Sequence, residues 1–341
     1  MEPITQALTS LTLARVAQKQ LPRYGAAMLV VAGVTADLDY ASYFAGPESF
    51  LRFHRSVLHS LPGSAVMICA LAAIFWAAAR RSAAGNAAAS RPLRFAAALA
   101  VCALGAAIHL LFDLASGIGV QLFWPFHQKW FAWNILANID PWVLALLVAG
   151  LLLPEVFHLA SEEIGERKKV ATGRLAGIIT LLLLLVYCGA RAGLHSRAIE
   201  ELNSRDYHGR VPLASGAFPT SLSPFTWRGV ISTDSTIETL DFSLAPGAEL
   251  DPDRAVTRYK PAPSAALDAA RNTPAAKMFL RYARFPLASL ESTDEGYVFV
   301  LRDLRFAPAD RSRDNVLVHI TLNANLAVTS QEFRYAKAAN R

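Results

Sequence analysis

Residues 93–114 read LRFAAALAVCALGAAIHLLFDL, and the fold follows from how this stretch is interpreted. It is apolar except for Arg94 near its start and His109 and Asp113 near its end. A helix needs about 20 such residues to cross a bilayer core of roughly 30 Å. Residues 62–79 and 175–192 have the same character, and 142–153 reaches this length if the aromatic and aliphatic residues of 131–139 join it. Four long spans are therefore expected, making the fold class mostly α, a multi-pass transmembrane helical bundle. Cys69, Cys102 and Cys188 each lie inside an apolar run, without metal-ligand spacing, and read as packing residues.

Ahead of these spans, residues 4–16 are moderately apolar and 24–36 strongly so, with Arg15, Lys19, Pro22 and Arg23 between them. This predicts two short helices joined by a basic hinge, with position 6 roughly level with position 37. Met1-Glu2-Pro3 lacks the basic start of a signal peptide, so insertion is expected to rely on the spans. Lys and Arg in short loops set orientation. Alternating spans put three basic groups on one side: Arg15 with Arg23; Arg80, Arg81, Arg91 and Arg94; and Arg167, Lys168, Lys169 and Arg174. Arg52, Arg55 and Arg191 run against that count. The basic side is expected to be cytoplasmic. The outer side then receives residues 37–59, the segment from His109 to Lys129, and everything after Arg197.

Beyond about residue 206 the chain loses its long apolar runs. Residues 227–244, 297–306 and 315–324 have strand-like content, as in the alternation of Val316, Val318 and Ile320. Residues 265–270 and 273–282 look helical. The expected organisation is a transmembrane domain over 1–197 and a small extramembrane α+β domain over 206–341. The composition, 53% hydrophobic and 18% charged, is an average of these two regions. The net charge of +6 is scattered, without the basic stripe of a nucleic-acid surface.

Ionisable groups near a span each need a reason. His109 and Asp113 are four residues apart and share a helix face, where they can hold a metal together or hydrogen-bond to one another. Asp37 and Asp39 follow an apolar helix and read either as convergent ligands in a turn or as helix-end aspartates. His54 and His59 are about 140° apart on an ideal helix, so both reach one ion only across a bend. The topology brings all three motifs to one membrane face. The candidate metal ligands are therefore Asp37, Asp39, His54, His59, His109 and Asp113, with Arg55 a candidate anion contact. Three Asp and three His without Cys suit a divalent ion such as Zn²⁺ or Mn²⁺, and that many donors suits a pair of ions. Asp140-Pro141 reads as a helix N-cap, and Trp124, Trp130, Trp133 and Trp142 as an interfacial belt.

The motifs, taken in order, resemble a known family. Met1-Glu2-Pro3-Ile4-Thr5-Gln6-Ala7-Leu8 looks like the M-D-P-x-T-H-A-L opening of the LexA-regulated, membrane-bound metal-dependent hydrolases, the YdjM-like family. Ala36-Asp37-Leu38-Asp39 is similar to its P-D-x-D, residues 54–60 to its H-R-x-x-T-H-S, and His109 through Asp113 to its H-x-x-x-D. Trp124-Pro125-Phe126 and the stretch from Pro224 to Val230 add to the likeness. Two positions depart from it: Gln6 stands where the family has histidine, and Leu58 where it has threonine. The resemblance implies a bacterial inner-membrane hydrolase that uses a divalent metal. The motif order is loosely similar to zinc-dependent phospholipase C, which points to phosphodiester chemistry.

The resulting expectation is metal-activated water attacking an ester or phosphoester, on a lipid-linked or periplasmic substrate within reach of the bilayer. The alternative is a non-catalytic membrane protein with a structural metal site and a C-terminal binding domain, which Gln6 favours. A transporter would need ionisable residues at mid-membrane rather than at span ends.

Overall fold

The computed structural model describes residues 1–84, 92–163, 173–306 and 314–336. Arg91, Arg167, Lys168 and Lys169 from the basic loops lie outside the described residues. The chain divides into two compact units, one of residues 1–39, 55–127 and 131–192, the other of 40–54, 128–130 and 193–341.

The first unit is helical. Pro3 opens α1 (Pro3–Val16), and Glu2 caps it by accepting from the Thr5 amide at 3.0 Å. After the hinge comes α2 (Gly25–Val34), completing the expected N-terminal hairpin. A 3₁₀ segment, Thr35–Ala45, carries Asp37 and Asp39, and α3 (Pro47–Phe53) follows it in the second unit. Helices α4 (Leu61–Ala84), α5 (Phe95–Ala115), α6 (Pro141–Glu163) and α7 (Gly173–Asn203) include four segments long and apolar enough to cross a membrane. Their outward residues are aliphatic and bare, as lipid contact requires: Val66, Ile74, Leu152, Leu182 and Leu185 are all exposed.

Residues 131–139 do not extend the third span. Phe131 pairs with Val120, and the amides of Ile135 and Leu136 both donate to the Ala115 carbonyl at 2.9 Å, tying this stretch to the end of α5. Helix α6 gains its length on the other side, running through Pro154. Asp140 caps it, with Oδ1 accepting from the Trp142 and Val143 amides at 3.1 and 3.2 Å.

Helices α2 and α5 cross closely. A Cβ on Gly105 would lie 2.6 Å from the Leu29 carbonyl oxygen and 3.2 Å from the Gly33 nitrogen, so only hydrogen fits there. At the hinge end of this unit, Arg15 pairs with Glu155 and donates to the Leu151 carbonyl, while Arg23 donates to Ser82 Oγ at 2.7 Å.

The second unit is two four-stranded antiparallel sheets. One, in order β1-β2-β3-β4, uses Ala214–Pro219, Thr226–Ser232, Thr236–Ser243 and Val256–Tyr259. The other, in order β5-β6-β7-β8, uses Pro286–Thr293, Gly296–Asp303, Val316–Asn323 and Val328–Tyr335. The first sheet buries Trp227, Ile231 and Leu240 with Ala198 and Leu202 from the end of α7. The second packs Val316, Val318, Ile320 and Leu322 with α8 (Ala265–Arg271) and α9 (Pro274–Tyr282). Phe218, Val230 and Ile237 share a further cluster with Phe285 and Leu287, joining the two sheets.

Candidate metal centre

Asp37, His59 and His109 each present a ligand atom, all lying within 4.8 Å of one another. Each reaches this point from a different element. Asp37 is at the start of the 3₁₀ segment after α2. His59 lies in the turn before α4. His109 lies one helical turn after Gly105 on α5, so the close α2–α5 crossing carries it inward. The two imidazole Nε2 atoms are 2.9 Å apart. Asp113 Oδ2 lies 3.0 Å from His59 Nε2 and 3.1 Å from His109 Nε2, and Asp37 Oδ1 lies 4.0 and 3.9 Å from the same two atoms.

The far nitrogens explain this arrangement. His109 Nδ1 lies 2.9 Å from the Gly33 carbonyl oxygen, which can only accept, so Nδ1 must carry the proton. His59 Nδ1 lies 3.0 Å from Asp39 Oδ2, which likewise draws a proton to that side. A neutral imidazole protonated at Nδ1 has a lone pair at Nε2. Two lone pairs and two carboxylates thus converge on one point, and among the described residues Asp37 Oδ2 and Asp113 Oδ2 are buried without a hydrogen-bond donor. Such a set needs a cation at its centre, either a metal ion or added protons.

Protons are the alternative occupant. Burial alone would push the His59 imidazole down, but the charge of Asp39 and hydrogen bonds to Asp113 and Asp39 prevail and push it up to about 9. Burial also raises Asp37 above the ordinary carboxylate range, opposed by His109 and His59.

The remaining sequence candidates take other places. Asp39 stands behind His59 and also accepts from the Arg55 amide at 2.8 Å. Arg55 is 1% exposed and left-handed, with φ of 58°, and its guanidinium donates to Ser116 Oγ at 3.0 Å and Asn138 Oδ1 at 3.1 Å. The same group lies 3.4 Å from Asp113 Oδ1. His54 belongs to the second unit, where its Nε2 lies 3.7 Å from Asp314 Oδ1. Trp130 also belongs to that unit and packs edge-to-face on Tyr282. Among the described residues one such group of three side chains forms.

Several contributors carry little sequence signal. The Met1 α-amino group, fully buried, contacts Asp113 Oδ1, which Gln6 Nε2 also approaches at 3.4 Å. Ser116 and Asn138 are ordinary polar residues until the fold places them on Arg55. Gly105 was readable, because positions 105, 109 and 113 share one face of α5.

No curated protein and no solved structure matches the chain. The model of the YdjM inner membrane protein family matches residues 1–195, which covers α1 to α6, most of α7 and the whole donor set. With that match over more than half its length, and with four helices able to span a bilayer, the chain belongs to the YdjM inner membrane protein family.

Proposed function

We propose that this protein is a membrane-embedded, metal-dependent hydrolase of esters or phosphoesters. The carrying observation is the pair of Nε2 atoms 2.9 Å apart, both turned inward by acceptors on Nδ1. Asp37, His59 and His109 would hold the ion, with Asp113 beside them, and a nitrogen–oxygen donor set without thiolate suits Zn²⁺ or Mn²⁺. When bound, the ion supplies Lewis acidity and an acidified water able to attack a carbonyl carbon or a phosphorus. The chain's own groups prepare the place for it. Asp39 and the Gly33 carbonyl keep the Nδ1 protons on their imidazoles, the arrangement that raises ligand basicity. Arg55, already engaged by Ser116, Asn138 and Asp113, acts in this proposal as a positioning residue rather than an anion contact.

The outward placement of the centre and of the residues after 197 is part of the same proposal. It draws support from Arg15 and Arg23, which sit at the hinge ends of α1 and α2, away from Asp37. With the centre at span ends, a lipid-linked or periplasmic substrate is in reach.

A second reading, a structural metal site with the C-terminal unit as the binding module, is favoured by burial. His59, His109 and Asp113 are all 0% exposed. Metal analysis of detergent-purified protein against His109→Ala and Asp37→Asn tests the centre. Wild-type protein should carry equimolar divalent metal that both variants lose; wild type without metal after metal-replete purification sinks both readings. With metal present, turnover of bis(p-nitrophenyl) phosphate or a p-nitrophenyl ester separates the two. Alkaline phosphatase fused after Asn203 should be active if the orientation is right.

A further inference from the structure

The two motifs that frame the centre are joined by an excursion. Residues 40–54 leave the first unit directly after Asp39 and return directly before Arg55, and within the second unit they pack with the C-terminal sheets. Leu51, 7% exposed, is part of the core that contains Phe279, Tyr282, Val316 and Ile320. The Tyr43 ring lies 4.9 Å from that of Tyr335, and Phe50 lies 6.3 Å from it. At the end of the excursion His54 stacks on Phe50 with centroids 4.4 Å apart, touches Tyr40 at 4.3 Å, and sets Nε2 3.7 Å from Asp314 Oδ1. Both members of this pair are at most 5% exposed.

The neck of the excursion bears on the metal ligands. The Arg55 amide donates to Asp39 Oδ2 at 2.8 Å, closing the loop, and that same oxygen lies 3.0 Å from His59 Nδ1. The Arg55 N–H lies in the peptide plane shared with His54, so how residue 54 is held bears on the donor to the carboxylate beside His59. Asp39 cannot be set independently of the loop's other end.

Resting on the metal reading above, we infer that His54 is a positioning residue and not a ligand. Its pair with Asp314 latches the 40–54 strap to the C-terminal unit, and through Arg55 and Asp39 fixes the His59 imidazole. The C-terminal unit thereby tunes the affinity of a centre held by the first unit.

Cobalt(II) loading of the full chain in detergent tests this, read by stoichiometry, affinity and ligand-field absorption. His54→Ala should keep equimolar cobalt, bind it about tenfold more weakly, as for loss of an orienting outer group, and shift the bands. Asp314→Asn should reproduce that shift, and the double variant should add little to either single change. His54→Gln, which keeps a polar partner for Asp314, should recover part of the affinity and serves as the control if His54→Ala folds poorly. Loss of cobalt stoichiometry in His54→Ala, with Asp314→Asn unchanged, would make His54 a ligand and overturn the inference. Should wild type bind no cobalt, the metal reading fails while the latch is still read by proteolysis within 40–53. Faster cleavage in Asp314→Asn supports it, and unchanged cleavage overturns it.

Discussion

His59 and His109 face each other Nε2 to Nε2 at 2.9 Å, each held from behind by an acceptor on Nδ1. His59→Ala and His109→Ala should each abolish bound divalent metal, and the double variant should be no worse than either single one. Elemental analysis of the purified proteins checks this; retention of equimolar metal by either variant would remove that residue from the centre.

The His59 proton gives the metal-free protein a particular pH dependence. The folded value, raised from 6.5 to about 9, means that stability from the protonated imidazole is complete below pH 6.5. It is lost as pH rises through 9. Metal-free protein should show a falling thermal midpoint between pH 6.5 and 9. Metal must displace the same proton, so apparent affinity should rise with pH across this window. A midpoint that is flat over it would contradict the assignment.

Gly105 sets the separation of α2 and α5. Gly105→Val should destabilise the fold by about 1–3 kcal/mol through overpacking, since the first added carbon meets the Leu29 carbonyl oxygen at 2.6 Å. It should also weaken metal binding by moving His109 from the Gly33 carbonyl. Thermal melts with and without metal measure both effects.

Gln6 is fully buried with its Oε1 lacking a donor, while its Nε2 lies 3.4 Å from Asp113 Oδ1. Gln6→His replaces a poorly served amide with a nitrogen donor at the family's histidine position. Metal affinity should rise, as measured by competition titration; a drop would show that the amide is already the better fit.

Glu238 on β3 is 0% exposed, and among the described residues neither carboxylate oxygen has a hydrogen-bond partner; His208 Nδ1 lies 3.9 Å away and Arg258 acts on it through charge. Burying a charge without partners is costly. Glu238→Gln should therefore leave the unfolding midpoint equal to or above wild type, and a clear fall would reveal a partner the geometry does not show.

The membrane half was the more legible, because its signals are local. Length and hydropathy located α4, α5 and α7, and the hinge of basic residues separated α1 from α2. The start of α6 was legible in Asp140-Pro141, but the optional extension into residues 131–139 does not form, since they are apolar enough for a span yet are drawn into backbone pairing with Val120 and Ala115. In the C-terminal unit the strands with buried alternation, such as β7, were readable. The strand β8, which is mostly exposed, carried no such pattern. Spacing singled out Asp37, His59, His109 and Asp113. It could not show that Asp39 stands behind His59, or that His54 pairs with Asp314, because both depend on partners remote in sequence.

Burial of the donor set also bears on time. His59, His109 and Asp113 have no exposed surface, and Asp37 only 9%. An ion seated among them would leave only when the helices part locally, so its exchange rate would report an opening motion rather than bond strength. Chelators should strip it slowly and at the same rate whatever their affinity. The metal found in the protein would then be the one present where the chain folded.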